Sequence, residues 1–258
     1  MKYDQQLETR HISRLQKAYV DATPLVLRRN ASASDRVDAL TSWEAFVLNS
    51  PRSDVYRTQS HGPRSLHEVW NSPLGMRMET SLDGPEGNAV RDWLSSAPVG
   101  SFVHQLHLVQ GQLDTLGSHL SIDESKTLKP SFVAGRVTDG GGTTHCDAYV
   151  NLALVATGRK TFYIAQSREG SAINRATRRG DPKADERRGV NPYNSPAFVP
   201  RASRLDAVPQ TLWSVADLHP GDVLHMPYGD WHWVYSVPHT VMTNVWVVDR
   251  EEPEEPSR

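Results

Sequence analysis

A single cysteine, Cys146, stands in the 258-residue chain. That scarcity excludes an internal disulfide and any multi-cysteine metal site, and it agrees with a reducing compartment. No apolar run approaches the roughly 20 residues that span a bilayer. The opening stretch MKYDQQLETRHISRLQK lacks the apolar segment of a secretory signal. The expected setting is therefore the cytoplasm, with no membrane partner. Charge of one sign is missing too. With 28 basic and 30 acidic residues the formal charge is −2, so no global basic field recruits nucleic acid. Lysine is rare: only Lys2, Lys17, Lys126, Lys129, Lys160 and Lys183 accompany the arginines, which gives weight to a lysine in a meaningful place. Any metal must be held by histidine and carboxylate.

The length suits one domain with a substantial core. Residues 1–258 read as one unit, with a helical flank over 1–99 and a core over about 100–250. In the flank, Leu7 to Tyr19 has amphipathic helical spacing, and TPLVLRR, from Thr23 to Arg29, reads as a short buried strand. SWEAFVLNS and SLHEVW read as short helices capped by Ser42 and Ser65. GMRMETSLDGPEG reads as a strand and a turn, and the segment with His104 and His107 looks strand-like. From Phe132 onward come FVAGRV, AYVNLALVA, KTFYIA, DVLHMP, HWVYSV and TVMTNVWVV, separated by turn residues. Such short runs predict an antiparallel sandwich or barrel, jelly rolls among them. Ser167 to Arg204, with Arg175, Arg178, Arg179, Arg187 and Arg188, reads as a surface insertion, and DREEPEEPSR as a frayed tail. Gly140 to Gly142 precede no helix bearing Lys-Ser or Lys-Thr, so they form a loop and not a phosphate cradle.

In TTHCDAYVN, from Thr143 to Asn151, strand alternation places His145 and Asp147 on one face and turns Cys146 away. An imidazole and a carboxylate so spaced supply two adjacent corners of an octahedral site. A second imidazole from a later strand would complete a two-His-one-carboxylate face on ferrous iron, with three positions left open. Three later histidines compete for that place: His225 and His232 in PGDVLHMPYGDWHWV, and His239 beyond it.

These two segments resemble the JmjC and cupin-8 families of oxygenases. The first family motif is matched by His145, Asp147, Asn151 and Gly158-Arg159-Lys160, the second by Pro220-Gly221-Asp222, Pro227 and Trp231-His232. The motifs occur in order, with Asp147 and His232 about 85 residues apart. The resemblance covers about Phe132 to Val248 and, more loosely, PLVLRR, which is similar to the strand by which such chains enter their sheet. It implies a mainly β, double-stranded β-helix (jelly-roll) core with flanking N-terminal helices. It also implies Fe(II) on His145, Asp147 and His232, with His232 preferred to its rivals because it holds the Trp-His position. The cosubstrate 2-oxoglutarate is expected on Lys160, with Asn151 and Asn244 beside it, and O₂ as the oxidant. No further acid or base residue is expected.

The activity so implied is hydroxylation, with 2-oxoglutarate converted to succinate and CO₂. The expected substrate is an amino-acid side chain in a peptide or a peptide natural product, a free amino acid or small metabolite being the alternative. The competing class is a non-catalytic metal-binding cupin, although degenerate members usually lose a ligand or the lysine, and neither is lost here. Cupin isomerases and thiol dioxygenases usually employ three or four histidines, whereas Asp147 brings a carboxylate. Trp231, Trp233, Tyr235 and Trp246 are expected to pack the core, with a substrate wall as their other role. Family members that dimerise often do so through helices beyond the barrel, and a homodimer is one assembly left open.

Overall fold

The structure is a computed structural model that describes residues 9–29, 31–49, 78–81, 85–114, 126–135, 145–147, 149–169, 210–237 and 239–249, together with Ser65, His67 and Glu68. For 78–90, 126–135, His145 and a few element ends it describes the backbone alone. The arginines of the insertion and the acidic tail lie outside the described residues.

The helices are α1 (Thr9–Val20), α2 (Ala33–Asn49), α3 (Pro85–Ser96) and α4 (Phe102–Asp114). The strands are β1 (Leu25–Leu27), β2 (Met78–Ser81), β3 (Lys126–Gly135), β4 (His145–Cys146), β5 (Val150–Thr157), β6 (Lys160–Ala165), β7 (Ser214–Leu218), β8 (Val223–Met226), β9 (Trp231–Ser236) and β10 (Thr240–Asp249). They form a large sheet ordered β1-β8-β5-β10-β3-β2 and a small one ordered β4-β9-β6-β7, with antiparallel pairing throughout. This is the expected jelly-roll core with its N-terminal helices. The flank also contributes strands, since β1 and β2 close the two edges of the large sheet.

The large sheet is covered on both sides. Leu152, Leu154, Ala156, Val223 and Val245 pack on Leu15, Trp43, Trp93 and Leu106 of the helices. Their alternates Ala153, Val155, Leu224 and Met226 meet Phe162, Ile164, Ala216 and Leu218 of the small sheet. A pleat with period two produces this division, and it defines an inner face between the sheets.

Three helices differ from expectation, the first being α3, which starts at Pro85 inside the run read as a turn. α2 begins well before Ser42, at a cap made by Ser32: Asp35 N donates to Ser32 Oγ at 3.1 Å, and Ser32 N donates to the Asp35 carboxylate at 2.8 Å. Its buried residues Ala39, Trp43 and Val47 recur every four residues. The segment with His104 and His107 is helical, because Phe102, Leu106, Val109 and Leu113 form one buried stripe. The Ser65 cap is observed as expected, in a reciprocal pair with Glu68.

Turn chemistry explains part of both motifs. Gly158 has φ +72°, and a Cβ there would lie 2.7 Å from Thr240 Cα and 2.9 Å from the His239 carbonyl oxygen, so glycine is needed where β5 turns into β6. Asp222 of the Pro-Gly-Asp run accepts from His219 N and Arg29 N at 3.0 Å and from Arg28 Nη1 at 2.6 Å. Its work is to close the turn before β8 and hold β1 against it.

Candidate metal centre

The chain does not run through TTHCDAYVN as one strand. β4 pairs with β9 in the small sheet, and β5 pairs with β8 and β10 in the large one. Asp147 therefore sits where the chain crosses between sheets, and simple alternation does not carry from Asp147 to Asn151. Asn151 nevertheless lies opposite Met226, on the inner face.

His145 pairs directly with His232, and Cys146 with Trp231. Residues directly opposite on neighbouring strands share a face, so the register brings the two histidine positions together. Asp147 Oδ2 lies 3.5 Å from His232 Nε2. Both side chains are buried. The His232 Nδ1 lies 3.2 Å from the Asp230 carbonyl oxygen. A carbonyl only accepts, so Nδ1 carries the hydrogen and Nε2 offers a lone pair. Two ligands at right angles on bonds of about 2.1 Å stand roughly 3 Å apart, and the Asp147–His232 separation approaches that spacing. The donor chemistry fits a ferrous ion. Among the described residues no three metal-binding side chains form a group; the side chain of His145 lies outside them.

Neither rival histidine reaches this face. His225 points toward the helices, where Nδ1 meets the Thr23 carbonyl at 2.9 Å and the ring stands edge-on to Tyr19. Burial holds its pKa below the usual value. His239 sits in a turn at φ +65° and faces Glu44 of α2 at 3.5 Å.

Lys160 is 3 % exposed and pairs with Leu218 and Ser236 on the small sheet's inner face. It stands four residues along β6 from Ile164, which is opposite His232, a run of roughly 13 Å of strand. Asn244 follows on the inner face of β10, 3 % exposed, and its Nδ2 donates to Asn151 Oδ1 at 3.3 Å. Asn244 Oδ1 is buried without a partner, an acceptor awaiting a donor. Arg159 points outward to Asp217 at 2.6 Å.

Cys146 turns away as expected, packing with Ala165 and Trp231. Burial, then the charge of Asp147, pushes its thiol up to about 11. Trp231, Trp233 and Tyr235 alternate with His232 and share that outer face, where Trp233 stands 5.2 Å from Tyr163. They therefore cannot wall the centre. Trp246 pairs with Asn151 and packs on Tyr149 at 4.7 Å, so of the four aromatics it alone stands on the inner face. A cavity of about 220 Å³ is lined in part by Ile164, Gln166, Arg168 and Ser214. Sequence reasoning missed Asp230. Burial raises its carboxyl to about 6 against a bond from Ser167, and its Asp-x-His spacing to His232 was the available signal.

These features define a jelly-roll protein with a buried histidine–carboxylate pair at the inner face of its small sheet. The chain belongs to the cupin-like domain family, whose profile matches residues 121–250. No curated protein matches it. A similar solved structure is that of E. coli ycfD, 16 % identical, with a TM-score of 0.41, covering 90 % of this chain and 50 % of that one. The chain spans half the length of that protein. Among the described residues no helix is long and apolar enough to cross a membrane.

Proposed function

We propose that this chain is an iron(II)- and 2-oxoglutarate-dependent hydroxylase acting on an amino-acid side chain, in a peptide or peptide natural product. The observation that carries the reading is the register of His145 opposite His232, with the Asp147 carboxylate 3.5 Å from the latter. His145, Asp147 and His232 would hold the iron. Lys160 would pair with the distal carboxylate of 2-oxoglutarate, and the Asn151–Asn244 pair would offer it amide groups. When bound, the iron would let O₂ act as the oxidant, one of its oxygen atoms turning a substrate C–H bond into C–OH and the other entering succinate as 2-oxoglutarate loses CO₂.

The chain's own part is to bind, orient and keep water out. Phe162, Ile164, Leu218 and Met242 line the interior apolarly, which strengthens a charged contact at Lys160. A metal-binding cupin without turnover is the competing reading. Anaerobically purified protein is given ferrous iron, 2-oxoglutarate and O₂ with candidate peptides, and succinate is quantified while mass spectrometry seeks one added oxygen. Succinate above a metal-free control supports the oxygenase. Tight metal binding with no succinate under any condition favours the non-catalytic cupin.

A further inference from the structure

Asp230 and its neighbour Gly229 touch both described candidate ligands. Gly229 N donates to the Asp147 carbonyl at 2.9 Å, and the Asp230 carbonyl receives His232 Nδ1 at 3.2 Å. The turn that precedes β9 thus holds the backbone of one ligand and the ring of the other. Turns are free to shift unless something fixes them. Here Asp230 Oδ1 accepts from Ser167 N at 2.9 Å, at the head of the 3-10 turn Ser167–Glu169 that follows β6. Asp230 is 4 % exposed, and its second oxygen has no partner. A buried carboxylate with one oxygen unpaired calls for an explanation.

We infer that Asp230 is a positioning residue for the metal, an inference that rests on His232 being a ligand. Its carboxylate fastens the start of β9 to the end of β6, and its carbonyl, once fixed, sets the tautomer and tilt of the His232 ring. An imidazole turns about two bonds, so a ring whose Nδ1 lost this acceptor would aim Nε2 over a range of directions. Outer-shell acceptors of this kind are worth about 10- to 100-fold in metal affinity. A cap for the 3-10 turn alone would affect stability and leave metal affinity untouched.

The test titrates Co(II) into the full chain by calorimetry and by the cobalt visible spectrum. It compares the parent with Asp230→Ala, Asp230→Asn, Ser167→Pro, Asp217→Ala and His232→Ala. Asp230→Ala is expected to lose about 10- to 100-fold in affinity and to change the spectrum, while Asp230→Asn, which keeps an acceptor for Ser167 N, recovers most of the loss. Ser167→Pro deletes the donated N–H at the first position of a helical turn, where proline is tolerated. It should weaken the metal in the same direction, and it carries the test if Asp230→Ala does not fold. Asp217→Ala, on the outer face, should bind as the parent does. The inference is overturned if Asp230→Ala and Ser167→Pro both match the parent while His232→Ala loses the metal. It is equally overturned if Asp230→Asn is as weak as Asp230→Ala, because charge and not placement would then be at work. If His232→Ala itself binds like the parent, the ligand assignment fails first and this inference with it.

Discussion

The two sheets live in different surroundings, and their sequences show it. In β5 of the large sheet every residue after Val150 is buried, because helices cover one face and the small sheet covers the other. In β7 and β9 of the small sheet, half-buried or exposed positions interrupt the run, and no helix cluster packs on the outer face among the described residues. The outer face of the small sheet nevertheless carries Trp231 and Trp233, both buried, so hydropathy alone separates the two sides on neither sheet. On the large sheet the signal is a polar residue inside an apolar run, as with Asn151 and Asn244.

That contrast can be broken at several points, with effects of decreasing size. Trp43, fully buried and 5.0 Å from Trp93, anchors the helices on the large sheet. Trp43→Ala should cost about 3–5 kcal/mol in chemical denaturation, whereas Val215→Ala, on the open side of the small sheet, should stay within about 0.5 kcal/mol. Equal losses would mean that the small sheet's outer face is covered as well.

Lys160→Ala tests the interior of the small sheet. Removing one partner of a desolvated charge pair costs about 2–5 kcal/mol, or roughly thirty- to several-thousand-fold in affinity for 2-oxoglutarate. Metal affinity should hardly change, and Lys160→Arg should rescue only in part, since its donors are planar and differently placed. Unchanged 2-oxoglutarate binding would move the anchor to another cation.

His225, on the helix side of the large sheet, gives a smaller, pH-dependent effect. Burial lowers its pKa from 6.5. Between that value and the folded one the unfolded chain binds more protons, so stability is full above pH 6.5 and falls as the pH drops through the window. His225→Gln should flatten this slope relative to the parent in denaturation at a series of pH values. Arg159→Ala, on the half-exposed outer pair with Asp217, should cost no more than about 1 kcal/mol in chemical denaturation.

Much of this contrast was legible beforehand. KTFYIA, HWVYSV and TVMTNVWVV fall on β6, β9 and β10 because apolar runs between turn residues carry their own boundaries. The segment around His104 and His107 misled although the two histidines have helical spacing, because the stripe Phe102, Leu106, Val109 and Leu113 shows only in a window of a dozen residues. The break between β4 and β5 was illegible, since the two residues His145 and Cys146 are too short a run to mark a strand of their own. Strand β7 passed unnoticed because its exposed Ser214 and Val215 give no buried apolar run. Of the site, the two histidines, the carboxylate and Lys160 were nominated by their motifs, and the structure gathers their positions on the inner face or at its edge. Asp230 was missed because its Asp-x-His spacing to His232 was the only signal it gave, while its contacts to that ring run through a backbone carbonyl.

The most direct test of the ligand assignment is an anaerobic titration of ferrous iron into the parent chain and into His145→Ala, Asp147→Ala, His232→Ala, His225→Ala and Cys146→Ala. One iron per chain is predicted for the parent, for His225→Ala and for Cys146→Ala, and no stoichiometric binding for the other three. Full binding by His232→Ala, or its loss in His225→Ala with the fold intact, would contradict the account.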